Sequence, residues 1–159
     1  YRGAVLQKLG LQRIEVIPST LQMVDFQLFD ELEAGDMLFI DSSHVVAPYG
    51  DVIALYIHIL PRLKTGVIVH IHDIFLPFDY PKNWQFGQYR GYTEQELLAA
   101  FLYGNKQWEV LFAVSGSGIF DSDGDSSCSS LLSVESFRRI CHQPMGSHPG
   151  GSIYIRKTS

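Results

Sequence analysis

Cysteine is scarce in this sequence, and so is clustered positive charge. Cys128 and Cys141 are the only cysteines among 159 residues, too few for a disulfide framework or a four-cysteine zinc site. The net charge is −5 and no basic run is longer than the two residues Arg138-Arg139, which argues against a nucleic-acid surface. The cysteine usage predicts a reducing, cytoplasmic setting, and the charge predicts no nucleic-acid partner.

Long hydrophobic runs and glycine-rich phosphate loops are also missing. No apolar run approaches the roughly 18 to 20 residues that cross a membrane, and the amino terminus lacks a signal-peptide pattern. The sequence has no P-loop and no Gly-x-Gly-x-x-Gly motif, and residues 115–118 lead into a polar loop rather than a helix, which disfavours serine hydrolase chemistry. We therefore expect no membrane partner and no complete nucleotide cradle.

The remaining composition is that of an ordinary globular protein, with 46% hydrophobic and 18% charged residues. It predicts a single domain over residues 1–159. Residues 75–92 are rich in aromatic residues, proline and glycine without periodicity, which is typical of a lid or a substrate wall. Residues 115–147 begin as a Ser/Gly/Asp-rich stretch, which predicts a long surface insertion.

Two short apolar runs organise the chain. Residues 37–40 lead into the polar sequence 41–44, and residues 67–69 lead into 70–73. A single helix-length amphipathic segment separates them, as expected for a buried parallel β-α-β unit. Because ligands bind at the carboxyl ends of such strands, both polar sequences are candidate site residues.

The other periodic segments predict the rest of an α/β fold. The predicted elements are a helix tail at residues 1–11, a strand at 13–17, a helix at 21–32, a helix at 52–60 capped by Asp51, a helix from the capping motif Thr93/Glu96 to Gly104, and antiparallel strands at 108–114 and 153–155.

The acids and histidines at the two strand ends carry the chemistry. Asp41 and Asp73 are expected to face one pocket and to repel each other, which favours a divalent metal or a cationic cofactor between them; the alternative is a pair of strand-end caps without a ligand. His44 and His72 are either site residues, as ligands or a general base, or structural polar residues. His70, deeper in its strand, is expected to be buried and hydrogen-bonded to the backbone.

Several motifs together resemble a known family. These are Leu-Phe-Ile-Asp-Ser-Ser-His at 38–44, Ile-Leu-Pro-Arg-Leu-Lys-x-Gly at 59–66, Val-His-Ile-His-Asp-Ile-Phe at 69–75, Tyr80-Pro81, the 94–102 helix and Pro-Gly-Gly-Ser-Ile at 149–153. They are similar to class I S-adenosylmethionine-dependent methyltransferases of the methyltransferase 24 type. The resemblance implies a partial Rossmann-like sheet, with parallel strands, flanking helices and a closing antiparallel pair. The family's first half, with its glycine-rich cofactor loop, would precede Tyr1, so the chain is expected either to be truncated at its amino terminus or to have lost independent cofactor binding.

The resemblance also implies roles for individual residues. Leu21, Gln22 and Asp41 match cofactor-contacting positions, and the loop residues Phe75, Tyr80 and Trp84 would cover the acceptor. Similarity to metal-dependent catechol-type O-methyltransferases implies a divalent ion such as Mg²⁺ at Asp41 and Asp73. His44 would be the catalytic base, and Ile74 stands where that group has an amide ligand, so that His72 or His44 would have to replace it.

The resemblance therefore implies methyl transfer from S-adenosylmethionine to an oxygen or nitrogen of a small-molecule acceptor such as a sugar or natural product. Two alternatives remain open at this point. One is a non-catalytic interaction module that uses the aromatic loop as its contact surface. The other is a metal-dependent hydroxylase or hydrolase that uses the His/Asp cluster.

Overall fold

The computed structural model describes residues 15–115 and 151–159. Four strands form its sheet, namely β1 (Met37–Ile40), β2 (Ile68–His72), β3 (Trp108–Ala113) and β4 (Ser152–Lys157). Helix α1 begins at Asp51–Ile53, continues with π-type hydrogen bonds over Ala54–Ile59 and ends in the 3-10 turn Leu60–Arg62; helix α2 is Glu94–Leu102. Shorter turns are Leu21–Met23 and Phe26–Glu31, both 3-10, and the π-type turn Asn83–Gly87.

The sheet has the order β1-β2-β4-β3. Strands β1 and β2 are parallel, with Met37 opposite Ile68 and Ile40 opposite Ile71. Strand β4 runs antiparallel to both β2 and β3. The predicted mixed α/β architecture is confirmed: helix α1 links two parallel strands, and an antiparallel pair closes the sheet.

The core lies on one face of this sheet. Val69 and Ile71 in β2 have no exposed surface, whereas His70 and His72 alternate with them on the other face and are only half-buried, as strand geometry requires. Helix α1 covers the apolar face, and the stripe predicted for it is largely buried. The buried members of that stripe are Val52, Leu55, Tyr56, Ile59 and Leu60. Leu98 of helix α2 joins the same core, so both helices bury apolar side chains against the sheet.

The predicted helix at residues 21–32 is wrong. The segment forms two short 3-10 turns, interrupted at Val24, which has an extended backbone. Phe26, Phe29 and Leu32 pack against the core and are spaced by three residues, the period of a 3-10 helix, in which residues i and i+3 lie one above the other. The α-helix was predicted from the spacing of Val24, Leu28, Phe29 and Leu32, but Leu28 is exposed, and the side chains that reach the core follow the tighter spacing instead.

Other predictions need smaller corrections. Residues 15–17 of the predicted strand 13–17 are not in a strand, because they pair with none of the four strands of the sheet. Helix α2 ends at Leu102 rather than Gly104, and Thr93 does not cap it with its side chain; the Thr93 hydroxyl instead accepts a hydrogen bond from the amide of Val46 (2.9 Å). The predicted helix tail 1–11 lies outside the described residues, as does the predicted insertion apart from Ser115.

None of the helices in the described ranges has the length and apolar character that crossing a membrane demands.

Candidate active site

Two left-handed turns shape the carboxyl edge of the parallel strands. His44, just after β1, has φ 59°, and Asp73, just after β2, has φ 54°, a conformation that costs free energy for residues other than glycine. Each turn is held by backbone hydrogen bonds. The His44 carbonyl accepts the amides of Thr93 (2.8 Å) and Glu94 (3.1 Å), and the Asp73 amide donates to Gly151 (2.7 Å). The surrounding fold thus fixes the direction of both side chains.

The two turns bring four predicted site residues together, and we refer to Asp41, His44, His72 and Asp73 as the strand-end cluster. His44 Nε2 lies 3.4 Å from Asp41 Oδ1 and 3.8 Å from Asp73 Oδ2. His72 Nδ1 lies 3.6 Å from Asp41 Oδ1 and 3.3 Å from Asp73 Oδ1. The Asp41 side chain is 60% exposed and that of His44 only 4%, so the cluster opens to solvent on the Asp41 side.

A fifth residue, Glu94, completes the site and was not predicted as part of it. The Glu94 side chain is fully buried at the start of helix α2. Its Oε2 atom accepts hydrogen bonds from His44 Nδ1 and Ser42 Oγ, both at 2.7 Å, and its Oε1 atom accepts one from the Tyr56 hydroxyl at 3.2 Å. The only signal in the sequence was Tyr56 on the predicted buried stripe, because a buried tyrosine hydroxyl needs a hydrogen-bond partner.

Glu94 decides which nitrogen of His44 carries a hydrogen. A carboxylate only accepts hydrogen bonds, so Nδ1 of His44 is protonated and Nε2 faces Asp41 and Asp73. Burial on its own would lower the pKa of His44, but the hydrogen bond and charge of Glu94, with the charges of Asp73 and Asp41, outweigh it and raise the pKa above its ordinary value. His44 is therefore an oriented imidazole in a strongly negative environment.

Asp51 supports the turn that carries His44. One of its carboxylate oxygens accepts the Ser43 amide (2.8 Å), and the other accepts the Ser43 hydroxyl and the Val52 amide. Burial would raise the Asp51 pKa, but these hydrogen bonds lower it below its ordinary value. Asp51 is the first residue of α1, and Gly50 takes the cap position predicted for it. The carboxylate thus joins the start of α1 to the turn after β1.

Aromatic side chains of the loop 75–92 pack beside the cluster. Trp84 makes edge-to-face contacts with Phe75 (5.2 Å between ring centroids) and Tyr92 (5.7 Å), and Tyr80 contacts Tyr92 at 5.6 Å. Tyr92 also lies 4.6 Å from the His44 ring. The loop includes the turn Asn83–Gly87, and its aromatic packing continues up to the imidazole of His44.

Gln95 anchors the base of this loop. Its side-chain oxygen accepts the Phe75 amide (3.0 Å), and its side-chain nitrogen donates to the Phe78 carbonyl (3.2 Å). Its own amide donates to the Tyr80 hydroxyl at 3.2 Å, and burial raises the pKa of Tyr80. The neighbouring residues Glu94 and Gln95 therefore hold His44 and the loop, respectively.

The strand-end cluster lies between two cavities. A cavity of 780 Å³ is bordered by His72 and Asp73 and by the predicted loop residues Phe75, Tyr80 and Trp84. A second cavity, of 280 Å³, includes Asp41 and the predicted cofactor residue Leu21 in its wall, with Leu38, Phe39 and Leu55. Asp41 thus faces the smaller cavity and Asp73 the larger one.

Two predicted residues are placed apart from the cluster. The side chain of Gln22 donates to the Tyr49 carbonyl (2.9 Å) and borders a different cavity, of 390 Å³. His70 is half-buried rather than buried, and its Nε2 atom contacts the Ser152 hydroxyl (3.1 Å) instead of a backbone group. Its ring stacks on Tyr154, and burial lowers its pKa. The structure therefore brings neither Gln22 nor His70 to the strand-end cluster.

Comparison with known proteins adds one family. Residues 2–74 match the methyltransferase 24 family model, which describes a methyltransferase domain. Searches of curated proteins and of solved structures returned no significant match. The matched range contains all four residues of the strand-end cluster, whereas Glu94 and the whole aromatic loop 75–92 lie beyond it. Over residues 2–74 the match confirms the family predicted from the sequence motifs, that of a methyltransferase domain.

Proposed function

We propose that this protein transfers a methyl group from S-adenosylmethionine to an oxygen or nitrogen atom of a small-molecule acceptor, such as a sugar or a natural product. The observation that carries this proposal is the pairing of His44 with Glu94 at the edge of the parallel strands, within and beside the matched methyltransferase sequence. A buried carboxylate holds the imidazole so that Nε2 faces Asp41 and Asp73, which border the smaller and the larger cavity, respectively. This is the arrangement of an oriented general base.

The reaction needs a base because the acceptor atom loses a proton. Transfer would form a bond between the acceptor atom and the methyl group as the methyl–sulfur bond of the cofactor breaks, and the acceptor atom would release its proton. The proton of the acceptor passes to Nε2 of His44, while the other ring hydrogen stays on Nδ1 and remains hydrogen-bonded to Glu94. The imidazolium so formed is stabilised by three nearby carboxylates, those of Glu94, Asp41 and Asp73. Positioning of the two reactants supplies the rest of the rate enhancement.

The smaller cavity offers side chains suited to part of S-adenosylmethionine. Leu21, Leu38 and Leu55 give it apolar walls suited to an adenine ring, and Asp41, Ser42 and Asp51 contribute oxygen atoms. A carboxylate near the sulfonium favours its positive charge. When bound, the cofactor supplies an electrophilic methyl group. We assign Leu21 and Asp41 to its binding.

Gln22 was also predicted to contact the cofactor, but in this proposal it has a supporting role. Because its amide group is bonded to the Tyr49 carbonyl, we assign it to holding the 3-10 turn that presents Leu21. The sheet also supports the proposal. Strands β1 and β2 are parallel, and a ligand site at their carboxyl ends is typical of a Rossmann-like sheet, so we interpret the sheet as part of such a methyltransferase fold.

The larger cavity is the proposed acceptor site. Aromatic side chains form much of its wall, and Asp79, Lys82 and Asn83 add polar groups, a combination typical of sites for small organic ligands. Phe75, Tyr80 and Trp84 are the residues proposed to contact the acceptor. Asp73 borders this cavity and lies 3.8 Å from His44 Nε2, so one side chain separates an acceptor bound there from the imidazole.

Magnesium does not fit this site well. The expected magnesium ligands were Asp41 and Asp73, with His72 or His44 in place of an amide, because Ile74 stands at the amide position and is buried in the core. Two imidazole nitrogens stand beside the carboxylates instead, whereas Mg²⁺ prefers octahedral oxygen coordination. No step of the proposed transfer therefore involves magnesium.

The family match also bears on the two alternative functions, a metal-dependent hydroxylase or hydrolase and a non-catalytic interaction module. A methyltransferase domain supports group transfer over hydroxylation or hydrolysis. The pairing of a buried acid with an oriented histidine supports catalysis over a purely structural interaction module.

The proposal is tested with the full-length protein in two measurements. Calorimetric titration with S-adenosylmethionine is expected to show binding, and methyl transfer from the radiolabelled cofactor to a panel of sugars and phenols is expected to label at least one acceptor. His44→Gln is expected to lower the transfer rate by about 10²- to 10⁴-fold, the usual contribution of a general base, while cofactor binding persists.

The matched control is His58→Gln, because His58 is exposed on α1 and outside the cluster. It is expected to transfer at the wild-type rate. Absence of cofactor binding by the wild-type protein, or full activity of His44→Gln, would overturn the proposal.

A further inference from the structure

The geometry points to a binding site for a divalent transition-metal ion of the zinc type, formed by Asp41, His44, His72 and Asp73. This site does not depend on the proposed methyl transfer. Its ligands are two carboxylates and two imidazoles, a donor set that suits zinc, iron, nickel or copper better than magnesium.

The spacing of the four side chains carries the inference. Four imidazole–carboxylate distances in the strand-end cluster run from 3.3 to 3.8 Å. Ligand atoms around a tetrahedral ion with bonds of about 2.0 to 2.1 Å lie about 3.3 to 3.5 Å apart. The potential ligand atoms of Asp41, His44 and His72 all lie within 4.8 Å of one another. Asp73 adds a carboxylate to these three residues, with Oδ2 near His44 and Oδ1 near His72.

The second observation is an unsatisfied nitrogen. His72 Nδ1 is buried and has no hydrogen-bond partner among the described residues, although the imidazole ring is partly exposed. A buried polar atom without a partner is unfavourable and calls for a ligand. This nitrogen faces Asp41 and Asp73, so the same ion that the carboxylates attract would satisfy it.

Glu94 gives His44 the environment of a metal ligand. Histidines that bind metals usually donate their other ring hydrogen to a carboxylate, which fixes the ring and the coordinating nitrogen. His44 Nδ1 makes this bond to Glu94, at 2.7 Å, and leaves Nε2 as the ligand atom. The site thus has an outer partner as well as direct ligands.

The local charge also favours a cation. Three carboxylates, those of Asp41, Asp73 and Glu94, surround the His44 imidazole. In the described part of the chain, the Lys and Arg ion pairs involve other acids, namely Asp30, Glu33 and Glu109. A divalent ion would offset charge that no described lysine or arginine balances.

An ion at this site has a consequence for the proposed reaction. It would occupy Nε2 of His44, the atom proposed to accept the proton. We therefore expect zinc to inhibit methyl transfer, and a chelator to relieve the inhibition.

The test uses untagged full-length protein, freed of metal with a chelator and titrated with Co²⁺, whose visible absorption reports four-coordinate binding. One equivalent of Co²⁺ is expected to give these bands, Zn²⁺ to abolish them and excess Mg²⁺ to leave them unchanged. Two single variants, His72→Ala and Asp41→Asn, are expected to weaken binding at least tenfold. Asp41 is exposed, so its variant tests the site even if His72→Ala folds poorly.

His58→Ala is the control and is expected to bind Co²⁺ like the wild type. The inference fails if the wild-type protein binds less than one equivalent, if Mg²⁺ displaces Co²⁺, or if both site variants bind normally. A separate titration with S-adenosylmethionine keeps the two proposals apart, because a protein that binds cobalt but not the cofactor contradicts only the proposed function.

Discussion

The Nδ1 atom of His44 lies 2.7 Å from Oε2 of Glu94, and both side chains are buried. The His44 carbonyl also accepts the backbone amide of Glu94. Helix α2 therefore holds His44 through its backbone and its side chain at once. Since Ser42 and Tyr56 donate to the same carboxylate, one acid connects the end of β1, helix α1 and helix α2.

The first prediction concerns this acid. Glu94→Gln is expected to lower the free energy of unfolding by about 1 to 3 kcal/mol, because one end of the amide would present a donor where the carboxylate accepts hydrogen bonds from Ser42, His44 and Tyr56. Urea unfolding followed by circular dichroism measures the change. The control is Glu96→Gln in the same helical turn, where the side chain is exposed and the effect should stay within about 0.5 kcal/mol. Equal effects of the two substitutions would contradict the role of Glu94.

A second prediction concerns Gln95 and the loop 75–92. Gln95→Ala removes the acceptor of the Phe75 amide and the donor to the Phe78 carbonyl. We expect hydrogen exchange at Phe75 to accelerate more than exchange in β2, because the loop base opens while the sheet persists. Mass spectrometry of deuterated peptides measures this. Gln27→Ala serves as the control, since that side chain is exposed, and unchanged exchange in the Gln95 variant would refute the anchoring role.

The third prediction is a pH dependence at Asp51. Hydrogen bonds from Ser43 and Val52 hold its pKa below the ordinary value of 3.8, so the carboxylate contributes stability that is fully present above the unfolded pKa. This contribution is lost as the pH falls through the lower folded pKa. The stability difference between wild type and Asp51→Asn should therefore be larger at pH 7 than at about pH 3. Urea titrations at both pH values measure it, and a difference independent of pH would rule the explanation out.

The sequence was informative where the relevant residues are close in the chain. Strand β1, helix α1 and strand β2 form one continuous unit, and the rule that parallel strands end at the same edge placed Asp41 beside Asp73. The same rule could not predict that Glu94 would be the hydrogen-bond partner of His44. Glu94 is separated from His44 by 50 positions, and its placement depends on how helix α2 packs, which local patterns do not encode.

Two local patterns were misinterpreted because tertiary contacts took precedence. The apolar residues at 21–32 fit an α-helical period, but packing of Phe26 and Phe29 on the core selected a 3-10 turn. The capping motif at Thr93 was the second such pattern, because the sequence did not show which other groups would bond Thr93. The Val46 amide donates a hydrogen bond to the Thr93 hydroxyl, and the Thr93 amide donates one to the His44 carbonyl. A capping sequence fails to form its own hydrogen bonds when a neighbouring turn uses the same groups.

The last prediction compares two glycines that share a backbone conformation but differ in their surroundings. Gly35 and Gly66 have φ values of 93° and 90°, a backbone conformation that residues other than glycine rarely adopt. A Cβ atom added to Gly66 would lie 2.6 Å from the Cβ atom of Ala34, whereas one added to Gly35 meets nothing within 4 Å. Replacement by alanine should therefore strain both backbones, but only Gly66→Ala should also create a steric clash.

We expect Gly35→Ala to lower the free energy of unfolding by about 1 to 3 kcal/mol, the range for a strained backbone residue. Gly66→Ala should cost about 1 to 3 kcal/mol more, because Ala34 has to move and overpacking of this kind is destabilising. The Gly66 amide also bonds Lys157 in β4, and its carbonyl accepts the amide of Gly35, so a shift at Gly66 would disturb both bonds. Urea unfolding of the two variants measures the difference, and equal losses would show that Ala34 yields without cost.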